Sequence, residues 1–329
     1  MTNGNGFEQS GTRERNLGLE LVRVTEAAAY AAARYMGRGD KEAVDQAAVD
    51  AMRSALDGVD MDGVVVIGEG EKDEAPMLFV GEHVGNGLQP EVDVAVDPVD
   101  GTRLTALGLA GAIAVVAVAD RGTMYSAPPG VYYMRKLAVG RAAALVIDLN
   151  ASIEDNLARI GQATNTPVRD ITVTVLDRPR HADIISAVRA SGARVRLIQD
   201  GDVAAAIQAA MEDYTGVDVY MGIGGAPEAV LAAAAIKCVG GQMLCQVWPR
   251  TDDERQKLLA DGVDLQRVYG VDDLITSTNV SFAATGITAG DLLHGVRYSA
   301  TGARTHSVMM RAKTGTVRYI EAIHRWKKP

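Results

Sequence analysis

"VDVAVDPVDGTRLTALG", residues 92–108, carries a valine-rich strand straight into two aspartates, a proline, a glycine and a threonine. A strand this close to continuously apolar is expected to be covered on both faces, which points to a layered α/β fold. Carboxylates at the mouth of such a strand are costly to bury unless cations or hydrogen-bond donors meet them. Asp97 and Asp100 are therefore candidates for binding a cation. Pro98 stiffens the exit from the strand, and Gly101 lets backbone come close to a ligand. Thr102 falls near a helix start, where free N–H groups attract phosphate. The same residues also read as an ordinary turn with Asp100 and Thr102 as helix caps.

On the N-terminal side, Leu17, Leu21, Val24 and Ala28 recur at helical spacing within residues 17–36, and residues 42–56 form a second helical pattern. "GVVVIGEGE", 63–71, is a β-branched run entering a glycine turn. On the C-terminal side, "AGAIAVVAVA" (110–119) and "AAALVIDL" (142–149) read as two more covered strands. After Asn150 the rhythm alternates: strands "ITVTVL", "VRLI" and "VDVYMGIG" are each followed by a helical segment. Such alternation implies a largely parallel sheet with ligands at the carboxyl ends of its strands. "RTHSVMMRAKTGTVRYIEAIHR", 304–325, reads as two strands about a Thr-Gly turn. The expected organisation is a flexible terminus (1–16), an N-terminal α/β metal-binding half (17–150) and a C-terminal α/β half (151–329) that completes a cleft.

The 329 residues carry a net charge of −9, which argues against nucleic acid as a partner, because phosphate backbones are held by clustered Lys and Arg. The two cysteines, Cys238 and Cys245, have neither disulfide-framework nor zinc-site spacing, which suits a reducing cytoplasm. No apolar run approaches the roughly 20 residues that span a bilayer, and residues 1–16 lack a signal-peptide core, so no membrane association is expected.

Acidic residues recur at strand ends and helix starts: Asp45, Glu69 and Glu71 in "GEGEKDEAP", Asp97, Asp100, and Glu228 in "GGAPEAV". An oxygen-only donor set suits magnesium or manganese, whereas zinc or copper favours His or Cys. Each acid also has a plain reading, as a solvated turn, an exposed helix residue or a group favoured by the helix dipole. In "DRPRH", Arg178, Arg180 and His181 could clamp an anion or lie in a solvated loop. Asp200 and Asp202 in "QDGDVAAA" could cap a helix or bind sugar hydroxyls. "GIGGAP" is a poor dinucleotide loop, since Pro227 replaces the last glycine of that fingerprint.

Taken together, "GRGDKEAVDQAAVDAM", "VIGEGEKDEAPML", "AVDPVDGT", "RPRH", "DGDVAAAI" and "GIGGAPEAV" resemble, in order and spacing, the class II fructose-1,6-bisphosphatase family of GlpX type. That family lies within the lithium-sensitive phosphatase superfamily that includes inositol monophosphatase, and the resemblance spans about residues 17–324. It implies a layered αβαβα sandwich of the sugar phosphatase type and metal-dependent hydrolysis of fructose 1,6-bisphosphate to fructose 6-phosphate, in gluconeogenesis. It further implies metal ligation by Asp45, Glu69, Asp97, Asp100 and Glu228, and a water oriented by Thr102, with Asp45 or Glu69, acting through Thr102 or directly on water, as base. The implied substrate contacts are Asp100, Gly101, Thr102, Tyr133, Arg180, His181, Asp200, Gly201, Asp202 and Gly225, with Lys136 near the far phosphate. Asp100 stands where many class II members carry Glu, and Asp is what the inositol monophosphatase branch uses. Sedoheptulose-1,7-bisphosphatase and inositol monophosphatase are the enzymatic alternatives, and a binder of sugar phosphate or nucleotide is the non-enzymatic one. Family members form homo-oligomers, so a dimer or tetramer is expected.

Overall fold

The computed structural model describes residues 12–68, 78–211 and 215–326. Helices α1 (Thr12–Ala32) and α2 (Lys41–Leu56) precede β1 (Asp62–Ile67), β2 (His83–Val84) and β3 (Glu91–Asp100). A short α3 (Thr102–Leu107), β4 (Ile113–Asp120) and β5 (Tyr133–Val139) follow. The alternating stretch comprises α4 (Ile153–Thr164), β6 (Thr172–Leu176), α5 (Ala182–Ala190), β7 (Arg194–Ile198), α6 (Asp202–Ala210), β8 (Val219–Gly225) and α7 (Ala226–Val239). Then come β9 (Gln242–Val247), α8 (Asp252–Ala260), β10 (Val268–Tyr269) and α9 (Val271–Leu274). The described chain closes with β11 (Ser281–Gly286), β12 (Arg297–Ser299), β13 (Gly302–Arg311) and β14 (Thr316–Arg325).

Two sheets result. The first has the order β12-β13-β11-β4-β3-β1-β2, with β14 also paired to β13. Only its β1/β3 pair is parallel. The second has the order β10-β9-β5-β8-β6-β7. Its β6 pairs in parallel with β7 and β8, but β5 runs antiparallel between β8 and β9, so the expected largely parallel sheet is mixed. The strand that alters it lies before residue 150, and β11–β14 return to the first sheet. The two sheets thus divide the chain differently from a boundary at residue 150.

Burial explains the layering. The apolar stripe of α1 (Leu17, Leu21, Val24, Ala28) and that of α2 (Val44, Ala48, Met52) pack with Val94, Val96 and Val116 on the outer face of the first sheet. Ala95, Val115 and Ala117 point the other way, into a core shared with α6 and α7. All nine residues of α6 are buried, and α7 is buried on nearly every side, as a helix between two sheets must be. Leu157 and Ile160 of α4 and Val188 of α5 cover the far face of the second sheet. The order helix, sheet, helix, sheet, helix is the αβαβα sandwich expected.

Two local expectations fail. Residues 142–149 form no strand: a 3₁₀ turn at Arg141–Ala143 leads into loop, with Ala143, Ile147 and Leu149 buried while Leu145 is 97% exposed. The helix α1 begins at Thr12, so residues 12–16 of the segment expected to be flexible are helical, and residues 1–11 lie outside the described residues. Among the described residues no helix is long and apolar enough to cross a membrane.

Candidate active site

A cavity of about 510 Å³ opens where the end of β3 and the start of α3 face the ends of β6 and β8, with α2 along one side. On the first wall, the β3/β4 register shifts between Asp97, opposite Val115, and Asp100, opposite Ile113. Asp97 Oδ1 accepts from the Val99 backbone N–H at 2.9 Å, which fixes the carboxylate beside the bend. Gly101 then takes φ of 98°, a left-handed conformation that side-chain-bearing residues rarely adopt. The chain thereby reverses into α3 and presents Thr102. Its hydroxyl donates to Asp45 Oδ1 at 2.7 Å and lies 3.3 Å from the Val99 carbonyl. Thr102 is therefore no helix cap: the N-cap position is Gly101, and no side chain caps α3. Burial raises the Asp45 pKa, with the Thr102 hydrogen bond and the charge of Lys41 opposing the rise.

The second wall is built by β8 and the helices that follow it. A Cβ on Gly224 would overlap the Asp202 carboxylate, and one on Gly225 would overlap that of Glu228. Glycine pairs here because two acids press against the backbone. Asp202 Oδ2 accepts from Lys136 Nζ at 2.6 Å, and Lys136 is only 2% exposed. Burial works to lower the Lys136 pKa, but Asp202 and Glu228 outweigh it and the net shift is upward. Among the described residues, Asp100 Oδ2 and Glu228 Oε2 are buried with no hydrogen-bond partner. Burial, then the neighbouring charge of Asp202, raises both carboxyl pKa values, and Glu228 raises that of Asp100 further.

The rim is basic. Arg178 holds Asp200 at 2.6 Å, and Arg103 approaches the same carboxylate at 3.8 Å. Arg180 donates to the Ile223 carbonyl at 2.9 and 3.2 Å and lies 5.4 Å above the Tyr133 ring. One end of the cavity is thus acidic and partly unpaired, and the other carries guanidinium groups.

Asp45, Asp97, Asp100, Gly101, Thr102, Tyr133, Arg180, Asp200, Gly201, Asp202, Gly225 and Glu228 all line this one cavity. His181 does not join them. Its ring is fully buried, with Nε2 accepting from the Ile223 N–H and Nδ1 facing the Leu176 carbonyl, each at 2.8 Å. It ties β6 to β8, so its expected substrate contact is replaced by a structural one. Lys136 likewise neutralises Asp202 rather than reaching a distant phosphate. Glu69 and Glu71 lie outside the described residues. Lys41 and Arg103 line the cavity without having been singled out in the sequence. Lys41 stands four residues before Asp45, on the same helix face, and Arg103 directly follows Thr102.

Among the described residues no three His, Cys, Asp or Glu side chains close around a point that could hold a metal ion. The donor chemistry nonetheless fits a hard divalent cation. The acidic end offers oxygen alone, and two of its buried carboxylates have an orphaned oxygen whose burial a cation would offset.

Against this geometry, the family model for bacterial, glpX-encoded fructose-1,6-bisphosphatase matches residues 15–324. The chain belongs to that fructose-1,6-bisphosphatase family. The chain is 46% identical over 323 residues to fructose-1,6-bisphosphatase 1 class 2 of Escherichia coli (strain K12), a match covering 94% of this chain and 95% of that protein. The fructose-1,6-bisphosphatase class 2 of Shigella flexneri matches with the same identity and coverage. A solved extragenic suppressor from Pyrococcus furiosus aligns at 14% identity and a TM-score of 0.31, over 60% of this chain and 70% of that one. For this bisphosphatase family member, the motif order in the sequence and the convergence of Asp45, Asp97, Asp100, Arg180, Asp202 and Glu228 on one cavity are independent observations.

Proposed function

We infer that the protein hydrolyses fructose 1,6-bisphosphate to fructose 6-phosphate and inorganic phosphate, as the names of its relatives and the chemistry of its cavity both support. The observation that carries the reading is the Thr102–Asp45 hydrogen bond set beside the unpaired carboxylates of Asp100 and Glu228. With its proton directed to Asp45, the Thr102 oxygen is left to accept a hydrogen bond from a water and to aim that water at phosphorus. Water adds to phosphorus, the P–O bond to the sugar breaks, the alkoxide takes up a proton, and Asp45 is the group placed to receive the proton that water loses. Its raised pKa suits that role.

Asp45, Asp97, Asp100, Glu228 and Glu69 would hold magnesium or manganese, which supplies charge neutralisation at the phosphoryl oxygens and at the leaving alkoxide. The protein's own contribution is mostly positioning. Gly224 and Gly225 hold the acids of the second wall, and Lys136 offsets the negative charge that Asp202 adds behind them. At the opposite end Arg180, stacked on Tyr133, faces the second phosphate, and the Arg178–Asp200 pair orders the rim beside it. A cavity acidic at one end and basic at the other favours a substrate with phosphates at both ends over an inositol monophosphate. The protein acts as a homo-oligomer in the cytoplasm, where its two buried, free cysteines remain reduced.

Steady-state kinetics on fructose 1,6-bisphosphate, sedoheptulose 1,7-bisphosphate, fructose 1-phosphate and inositol 1-phosphate test this directly. Fructose 1,6-bisphosphate is expected to show the highest kcat/KM. Arg180→Ala is expected to raise KM for the bisphosphates by roughly tenfold or more and to leave fructose 1-phosphate almost unaffected, because binding energy remote from the reacting atoms is lost. Equal effects on both kinds of substrate would contradict the two-ended reading.

A further inference from the structure

The strand β14 is the outer edge of the first sheet, and among the described residues only β13 pairs with it. It is ten residues long, has no proline, and leaves Ile323 61% and the following Trp326 39% exposed. Long exposed edges invite pairing with another strand unless they are shortened, bent, covered or charged, and the charges on this edge, Arg318, Glu321 and Arg325, are of both signs. A bulge is one such device, yet the β13/β14 ladder runs unbroken from Gly302↔Arg325 to Arg311↔Thr316.

The sequence of this edge is complementary to itself. Two copies of one edge strand can pair antiparallel about a twofold axis perpendicular to the sheet, and facing residues then lie on the same side of the sheet. With the axis at Ile323, the two exposed isoleucines face each other. Glu321 then meets Arg325 of the second copy on that same sheet face, and symmetry makes this contact twice. On the opposite face Ile320 meets Trp326, and Ala322 meets His324. Among the described residues every facing pair is apolar, aromatic or of opposite charge, the kinds of pair that stabilise neighbouring strands, and the Glu321–Arg325 contact would compete with the 3.5 Å pair that Glu321 makes with Arg304 of its own chain. Moving the axis to Glu321 would set glutamate against glutamate and Val317 against Arg325. Moving it to Arg325 would set arginine against arginine.

We propose that β14 joins a second copy of this chain edge to edge, antiparallel and centred on Ile323, so that the first sheets of two protomers become one continuous sheet. The cavity and its residues are not involved, so the proposal stands apart from the catalytic reading.

Sedimentation velocity and light scattering on the purified chain and on charge variants decide it. The wild type is expected to show at least twice the 34.7 kDa chain mass. Glu321→Arg sets two arginines face to face at both symmetric contacts, and Arg325→Glu sets two glutamates. Each single variant should weaken association by at least about tenfold and halve the observed mass, since like charges directly opposite repel. The double variant Glu321→Arg/Arg325→Glu restores opposite charges in the exchanged order and should recover the wild-type mass. Unchanged circular dichroism and phosphatase activity per chain would show that each variant has folded. A monomeric wild type, single variants that associate as the wild type does, or a double variant that stays dissociated would each overturn the proposal.

Discussion

Thr102 is the residue on which the proposed chemistry turns. Its neighbours Asp100 and Gly101 made a helix cap an equally good reading in the sequence, and the structure separates the two. The left-handed Gly101 takes the cap position, and the Thr102 hydroxyl spends its proton on Asp45, 57 positions earlier in the chain. A side chain lost from a cap would cost about 1 kcal/mol and leave turnover intact. A group that orients the attacking water should instead govern rate. Thr102→Ala is expected to fold and melt close to the wild type while kcat falls by roughly 10² to 10⁴, with Thr102→Ser in between because it keeps the hydroxyl. A near-normal kcat in the alanine variant at saturating substrate would remove Thr102 from the mechanism. The carboxylates were legible because they recur together at strand ends and helix starts, although each alone has a plain reading. The tie between Thr102 and Asp45 came only through the family resemblance, since nothing local links residues on separate elements.

Elements show the same division between local pattern and distant pairing. Helices α1 and α2, strands β1, β4 and β6, and the β13/β14 hairpin follow from periodicity and turn residues. The run at 142–149 misled because its apolar residues fill a core from a loop, and a run without a two-residue alternation cannot distinguish the two. The position of β5 between β8 and β9 depends on contacts far apart in sequence, so the mixed sheet could not be read. His181 is the clearest case of an element-level role hidden in a motif. Because Ile223 donates to Nε2, the proton sits on Nδ1 and is given to the Leu176 carbonyl, so the ring is held neutral. Burial lowers its pKa below the usual histidine value. Between that lowered value and about 6.5 the unfolded chain binds a proton that the folded chain does not, so stability rises with pH across that window and is lost as pH falls through it. Thermal melts from pH 8 to pH 5 should show a steeper acid decline for the wild type than for His181→Gln. The variant should also be less stable at pH 8, by about 1–3 kcal/mol for its lost buried hydrogen bonds. Parallel declines would mean that the ring does not hold this junction in its neutral form.

At the scale of the molecule, two sheets enclose a helical layer so that the ends of β3 and β8 bring acids from α2, β3, α6 and α7 to one place. Those acids are a liability in the folded protein unless something offsets their charge. Lys136 meets Asp202, but Asp100 and Glu228 keep a buried oxygen without a partner. A divalent cation would offset that charge, and phosphate release by metal-stripped protein measures the dependence. No release from fructose 1,6-bisphosphate is expected in the presence of chelator. Adding magnesium or manganese should then release one phosphate per fructose 6-phosphate formed, with Glu228→Gln needing at least about tenfold more metal than the wild type for half-maximal rate. Undiminished release from the stripped protein in chelator, or a Glu228→Gln variant with the wild-type metal requirement, would contradict it.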